Sequence, residues 1–341
     1  RQGLQDRLLK VHPGFLPASG FQTSLILHTH SVKQVLHPKD APGRLVDDEY
    51  AAWRSKLLNG SGRNELSITS PTARRAGLNF RFTQRNTPPL FGAGLIDSIP
   101  DHMIVAIADE QKEKFPETRG RVPRDGGGRV GRFGWRGQVG HLHDFVLAAC
   151  ANELGLQVPG HSQPPEIVLD ADGTTAVLRN DRRTDKTPPR RDDLTAEQCL
   201  SLTTFVAGLL PPTRSAAGSI THARDISAGE TLFNEIGCAD CHRREVGPID
   251  GIYSDLLLHD MGAELSDPLG ANPDNGGSFG GYYGSSLPVP QIASASGEKG
   301  PNLRQEWRTP PLWGVGDSAP YLHDGRATTL EDAIRLHGGQ G

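Results

Sequence analysis

Cys238-Ala239-Asp240-Cys241-His242 is the run of this chain whose residue types and spacing carry the most chemistry. A C-x-x-C-H run is the attachment site of a c-type haem. Two thiols become thioethers to the vinyl groups, and the adjacent imidazole reaches the iron as proximal ligand. A zinc half-site is the alternative. It needs a second pair of ligands, and the chain's other cysteines are the separated Cys150 and Cys199. A thioredoxin-type CxxC belongs in a strand–helix setting and has no use for the histidine. The reading is therefore one covalent haem c on Cys238 and Cys241, with His242 on the iron.

The elements that must position this run are legible around it. Ser227-Ala228-Gly229-Glu230 has the form of a capping box. Ala228, Leu232, Phe233 and Ile236 follow at helical spacing, so a short helix is predicted from Ser227, stopping at Gly237. Helices are also expected over 48–58 and 143–156. Another spans 195–210, where Thr195-Ala196-Glu197-Gln198 caps it and Pro211-Pro212 ends it. A last one runs from Thr328-Thr329-Leu330-Glu331 to His337, before Gly338-Gly339. Ile167-Val168-Leu169 and Ala176-Val177-Leu178 flank a turn and read as a hairpin. Residues 115–132, rich in Gly and Arg, read as an exposed loop, and 181–193 as a charged, solvated linker. Residues 264–306 read as a long irregular loop wrapping the haem face.

Composition sets bounds. The 341 residues allow two or three domains, and the 41 glycines and 26 prolines suit a mostly helical, loop-rich protein. A net charge of -4 argues against nucleic acid as partner. No run of 18 apolar residues is present, so no transmembrane helix is predicted. The sequence opens at Arg1 without an initiator Met. Haem is joined to CxxCH outside the cytoplasm. A secretion signal ahead of Arg1 and a periplasmic or otherwise extracytoplasmic location are therefore expected.

One segment repeats. Thr87-Pro88-Pro89-Leu90-Phe91-Gly92-Ala93-Gly94 returns as Thr309-Pro310-Pro311-Leu312-Trp313-Gly314-Val315-Gly316, with six of eight positions identical. Chance similarity of two proline turns is one explanation; duplication of a whole domain is the other. The expected fold is mainly α: two cytochrome c-like domains related by internal duplication, with long irregular loops and a small β-hairpin insertion. The domains would span 1–222 and 223–341, and only the second holds a CxxCH.

A family resemblance emerges from the second half. Trp307-Arg308-Thr309-Pro310-Pro311-Leu312-Trp313, Ala319-Pro320-Tyr321-Leu322-His323-Asp324-Gly325-Arg326 and Thr329-Leu330-Glu331-Asp332-Ala333-Ile334 resemble the bacterial di-haem cytochrome c peroxidases and MauG-like enzymes. The similarity is strongest to the di-haem oxidoreductase branch. Segments 85–96 and 131–155 and the run Tyr253-Ser254-Asp255-Leu256-Leu257-Leu258-His259-Asp260-Met261-Gly262 share it, so it covers most of 80–341.

The resemblance implies roles for individual residues. In the family a Met or Tyr on the helix after the Tyr-x-His-x-Gly segment is the sixth ligand. His337 stands at the same offset, 14 residues after His323. His337 is thus the expected partner of His242, with Met261 as rival and a histidine at a helix C-terminus as the plain alternative. Trp135 matches the tryptophan between the two haems, with Leu142 and Asn152 in register; a core aromatic is its other reading. Glu153 would be the distal acid–base for peroxide, although it sits two residues before the family's position and Phe145 replaces a family Gln. Asn86, Ser318 and Pro320 fall where the family binds calcium, and they are also turn residues. The first family haem carries its own CxxCH, expected upstream of this sequence, and a closing helix is expected after it. The implied protein is a periplasmic di-haem oxidoreductase of peroxidase-like type. A small cytochrome c or cupredoxin would supply electrons, and peroxide or a protein group would be the substrate. The alternative is a non-enzymatic mono-haem electron-transfer subunit of a larger complex.

Overall fold

The computed structural model describes residues 66–68, 80–82, 85–125, 127–154, 156–161, 167–169, 176–178, 192–212, 220–266 and 305–339. The helix expected over 48–58, most of the 181–193 linker and nearly all of the 264–306 loop lie outside the described residues. In chain order the elements are strands β1 (Leu66–Ile68) and β2 (Phe80–Phe82), then helices α1 (Ala93–Asp97), α2 (Asp101–Lys114) and α3 (Leu142–Asn152). Strands β3 (Ile167–Leu169) and β4 (Ala176–Leu178) and helices α4 (Ala196–Ala207) and α5 (Ile220–Glu235) follow. Strands β5 (Glu245–Val246), β6 (Ile249–Asp250), β7 (Leu258–Asp260) and β8 (Glu306–Arg308) and helix α6 (Leu330–Arg335) complete them. The described part is helix-rich, and its sheets are small two-stranded antiparallel pairs. Among the described residues no helix is long and apolar enough to cross a membrane.

The chain divides into two compact units. The smaller comprises Arg1–Thr83, Ala148–Thr195 and Asp267–Ser286. In it β1 pairs with β2, and β3 pairs with β4 as the expected hairpin, with Ile167 opposite Leu178. Gln157 and Asp193 are joined twice: each backbone N–H donates to the other residue, at 2.7 Å in both cases.

The larger unit comprises Gln84–Leu147, Ala196–Ser266 and Leu287–Gly341. Helix α2 starts behind Pro100 with Asp101 in its first turn and lysines in its last, which suits the helix dipole. It buries Ile104, Ile107 and Gln111, spaced to share one face. Strands β7 and β8 run antiparallel with His259 opposite Trp307, and Arg121 bridges to Leu258 along the free edge.

Three features depart from the sequence expectations. Helix α5 begins at Ile220, so Ser227 lies in its interior, where its carbonyl accepts the Thr231 hydroxyl at 3.0 Å. Residues 220–226 contain no Pro or Gly to delay the helix, and an N-cap needs a non-helical backbone that Ser227 does not have. Segment 115–132 is not an exposed loop throughout: Val130 and Arg132 are buried. The Asp125 side chain accepts the N–H groups of Gly127 and Arg129 at 2.9 and 3.0 Å, replacing water on the backbone. Helix α6 is capped by Thr329, whose hydroxyl accepts the Asp332 N–H at 3.1 Å. It stops at Arg335, which leaves His337 just beyond the helix.

The repeated segment repeats in conformation as well. Gly92 (φ 75°) and Gly314 (φ 67°) are both left-handed, and each opens a short helical stretch. The copies pack on one another reciprocally. A Cβ on Gly92 would lie 2.2 Å from the Trp313 ring, and one on Gly314 would lie 2.9 Å from the Phe91 ring. Only glycine satisfies both the backbone and the approach. Gly92→Ala should therefore destabilise the protein by about 2 kcal/mol or more, from left-handed strain plus overpacking. The denaturant midpoint measures this; an unchanged midpoint would mean that the two turns are not packed together.

Candidate haem site

The C-x-x-C-H run is a folded turn. Gly237 (φ 88°) ends α5, and Cys238–Asp240 form a single 3-10 turn in which the His242 N–H donates to the Cys238 carbonyl at 2.9 Å. Both thiols are free and partly accessible, and burial pushes the Cys238 thiol up. Leu232 and Ile236, more than half exposed, border the turn with apolar surface.

His242 is half-buried and oriented from behind. Its Nδ1–H donates to the Tyr253 carbonyl at 2.9 Å, which leaves Nε2 as the free donor atom. Phe233 meets its ring edge-on at 6.5 Å and the Tyr253 ring at 5.9 Å. The carbonyl is aimed by an unusual backbone, with Tyr253 at φ 49° and Leu256 at φ 61°. Hydrogen bonds fix that segment: Ser254 N–H to Arg243 O at 2.9 Å, and the Ser254 hydroxyl to Thr309 O at 2.7 Å. Burial, then the charges of His337 and His259, hold His242 below the usual histidine range. The neutral imidazole is the ligand form.

His337 is exposed and has the same preparation. Its Nδ1–H donates to the Ala333 carbonyl at 2.7 Å, again leaving Nε2 free. Met261 lies on the segment that the backbone just after His337 crosses. A Cβ on Gly339 would lie 2.3 Å from the Asp260 carbonyl, and one on Gly338 would lie 3.3 Å from the Met261 carbonyl. The two expected sixth ligands are thus carried by segments that cross in contact. The donor set suits haem c: two thiols on one turn, and two imidazoles with Nε2 lone pairs free.

Sequence reasoning missed the layer beneath the cysteines. His259 lies between Cys241 and Asp255, with Nδ1 at 3.5 Å from the Cys241 sulfur and Nε2 at 2.8 Å from the Asp255 carboxylate. Gln111 donates to Asp255 and to the Asp240 carbonyl, both at 2.8 Å, and accepts the Gly120 N–H at 2.7 Å. Asp255, His259 and Gln111 are almost wholly buried. Burial alone would lower His259, but the Asp255 carboxylate raises it to about 10. Cys241, Asp255 and His259 could in principle hold a metal ion. Each ring nitrogen is already engaged, however, one by sulfur and one by carboxylate. Were Cys241 joined to a haem vinyl, its thioether sulfur would only accept, and an imidazolium N–H is the partner it would need. The signal was present in the run from Tyr253 to Gly262, where His259 stands four residues after Asp255, but strand and turn geometry had to bring them together.

The remaining expected residues fall in two places. The Trp135 indole N–H donates to the Asn86 carbonyl at 2.7 Å, and its own carbonyl accepts the Arg308 N–H at 2.9 Å. The Asn86 amide N–H donates to the Pro320 carbonyl at 2.5 Å, and the Asn86 backbone N–H to the His323 carbonyl at 2.8 Å. Ser318 turns its hydroxyl to the Gly314 carbonyl at 2.8 Å. Asn86, Pro320 and Trp135 are therefore in one network, while Ser318 closes its own turn. Phe145 is buried and stacks on Phe133 at 5.5 Å. Glu153 belongs to the smaller unit, just past α3, with its N–H on the Ala149 carbonyl at 2.9 Å.

Comparison with known proteins agrees with this chemistry. Residues 300–341 match the family described as "Di-haem oxidoreductase, putative peroxidase". Hydrazine synthase subunit gamma of Kuenenia stuttgartiensis is 31% identical over 133 residues, 36% of this chain and 35% of that protein. Cytochrome-c peroxidase IdrP1 of Pseudomonas sp. (strain SCT) is 30% identical over 126 residues, 33% of this chain and 31% of that protein. The chain spans about a third of the length of these curated relatives. No solved structure matches it. These matches support the di-haem, peroxidase-like branch as the relatives of this chain.

The buried pair gives a test with a definite sign. His259 is raised above its unfolded value near 6.5, so its stabilisation is complete below that pH and is lost as pH rises towards about 10. Asp255 is lowered, so its share is lost as pH falls below the ordinary carboxylate range. Asp255→Asn should cost about 3–5 kcal/mol near pH 6. That deficit should shrink by pH 9–10 in urea denaturation; a deficit constant with pH would remove the ion pair from the account.

Proposed function

We propose that this chain forms part of a periplasmic c-type di-haem oxidoreductase of peroxidase-like kind. Electrons would come from a small cytochrome c or cupredoxin, and peroxide or an oxidisable protein group would be reduced or oxidised at a second haem. The observation that carries the reading is the matched preparation of His242 and His337. Each has Nδ1–H tied to a backbone carbonyl and Nε2 left free. The similarity to a cytochrome-c peroxidase and to the di-haem oxidoreductase family supports the reaction class.

When bound, haem supplies one-electron transfer. The chain's own residues do the rest. Cys238 and Cys241 would fix the group to the turn, and His242 and His337 would be its imidazole ligands. Two imidazole ligands would leave no open position for peroxide, so peroxide chemistry would need a second site. Trp135, its indole held still by the Asn86 carbonyl, would relay charge towards that site. Glu153 would be the acid–base that the resemblance implies for the peroxide proton. We extend the proposal to calcium at Asn86 and Pro320, where a turned amide would offer its oxygen beside the carbonyl, with Ser318 completing the turn.

A second reading has two observations in its favour. The chain holds one CxxCH, and one relative is named as a subunit of hydrazine synthase. A mono-haem electron-transfer subunit would account for both. Haem count per natural polypeptide separates the two, with two haems for the oxidoreductase and one for the carrier. His337→Met should raise the reduction potential and introduce the near-infrared charge-transfer band of methionine ligation. An unchanged spectrum would mean that another residue, Met261 first, holds the sixth position.

A further inference from the structure

Arg308 is a buried cation that, among the described residues, feels the Asp255 carboxylate only from a distance. It is 6% exposed, and among the described residues it forms no ion pair. Its Nε–H donates to the Gly134 carbonyl at 3.0 Å and Nη1 to the Thr309 carbonyl at 3.3 Å; its other N–H groups have no protein acceptor among the described residues. Burial lowers it only to about 10, so it is charged at neutral pH. Nearby guanidinium groups are treated differently: Arg121 pairs with Glu306, and Arg132 pairs with Asp101. Arg132 nevertheless leaves Nε as the buried side-chain atom without a partner among the described residues.

Arg308 and Arg132 line the same recess, whose walls otherwise include Pro88, Phe91, Phe145 and Trp313. Its interior is about 50 Å³, room for a few waters or one small planar group. Apolar walls of this kind exclude water and strengthen any ionic contact inside. Buried charges are normally paired, because an unpaired one is strongly disfavoured.

We propose that this recess binds one carboxylate group, shared by Arg308 and the Nε–H of Arg132. Charge sets the valence: Asp101 already neutralises Arg132, which leaves one positive charge to match. Shape favours carboxylate, since two coplanar oxygens fit a guanidinium edge, whereas a halide offers a single point. Two sources share this chemistry: the propionate side chain of a haem, or a free small carboxylate. The propionate source rests on the haem reading above; the free source does not.

The haem-loaded protein distinguishes them. If the site takes a free carboxylate, acetate will raise the thermal midpoint of the wild-type protein by mass action, and chloride at equal ionic strength will not. Arg308→Met will abolish that rise. If a propionate occupies the site, acetate will have no effect, and the propionate-bending band in resonance Raman will shift in both Arg308→Met and Arg308→Lys. Lysine keeps the charge and loses the fork, which guards against a variant that fails to fold. Either pattern supports the site and names the source. A wild-type protein indifferent to acetate, with an unshifted propionate band in Arg308→Lys, overturns it.

Discussion

The turn that carries the two thiols depends on one buried ion pair. Asp255 and His259 lie 2.8 Å apart, both almost without solvent contact, beneath Cys241. Their charges cannot be screened there, so each must keep the other in place. Gln111 ties the same carboxylate to the Asp240 carbonyl in the middle of the C-x-x-C-H run. Backbone comes close to this pair: a Cβ on Gly120 would lie 2.7 Å from the His259 ring. Helix α2, strand β7 and the thiol-bearing turn thus meet at one polar point inside an apolar core.

From that point the geometry of the His242 imidazole follows. Asp255 accepts the Leu257 N–H at 2.9 Å, and Ser254 accepts the Leu256 N–H at 3.0 Å; these bonds hold the left-handed residues at 253 and 256. The bent segment aims the Tyr253 carbonyl at His242. Strand β7 ends at Asp260, and Gly338 and Gly339, next in the chain to His337, cross the segment Asp260–Gly262. The anchoring of the His242 ring is therefore a consequence of how the chain enters β7, whereas that of His337 is local, to the Ala333 carbonyl four residues earlier. The Arg308 recess lies on the partner strand, β8, so the two polar features of the core share one small sheet.

The thiol-bearing turn was legible as sequence because the C-x-x-C-H pattern is local. Cys238, Cys241 and His242 are neighbours in the chain, and no folding is needed to bring them together. The stop at Gly237 was equally local, since a left-handed residue after a helix favours glycine. The start of α5 was not, because a capping box describes a possible helix end and cannot reveal that upstream residues continue the helix past it. The 115–132 segment misled for a related reason. Gly and Arg content suggested exposure, but Asp125 satisfies that backbone from within. His259 was invisible because its meaning lies in contacts with Cys241, Asp255 and, through Asp255, Gln111, which tertiary structure alone supplies. The repeat at Thr87 and Thr309 was plain in sequence, while the mutual packing of its two glycine turns appeared only in space.

The central claim is that this turn holds a covalent haem between His242 and a second axial residue. Mass spectrometry of the denatured, protease-digested protein, matured outside the cytoplasm, tests it most directly. The account predicts that the peptide containing Cys238 and Cys241 carries the mass of one haem and keeps its Soret absorbance after acid–acetone extraction. An unmodified peptide with two free thiols, or a zinc ion in the intact protein in place of haem, would contradict it.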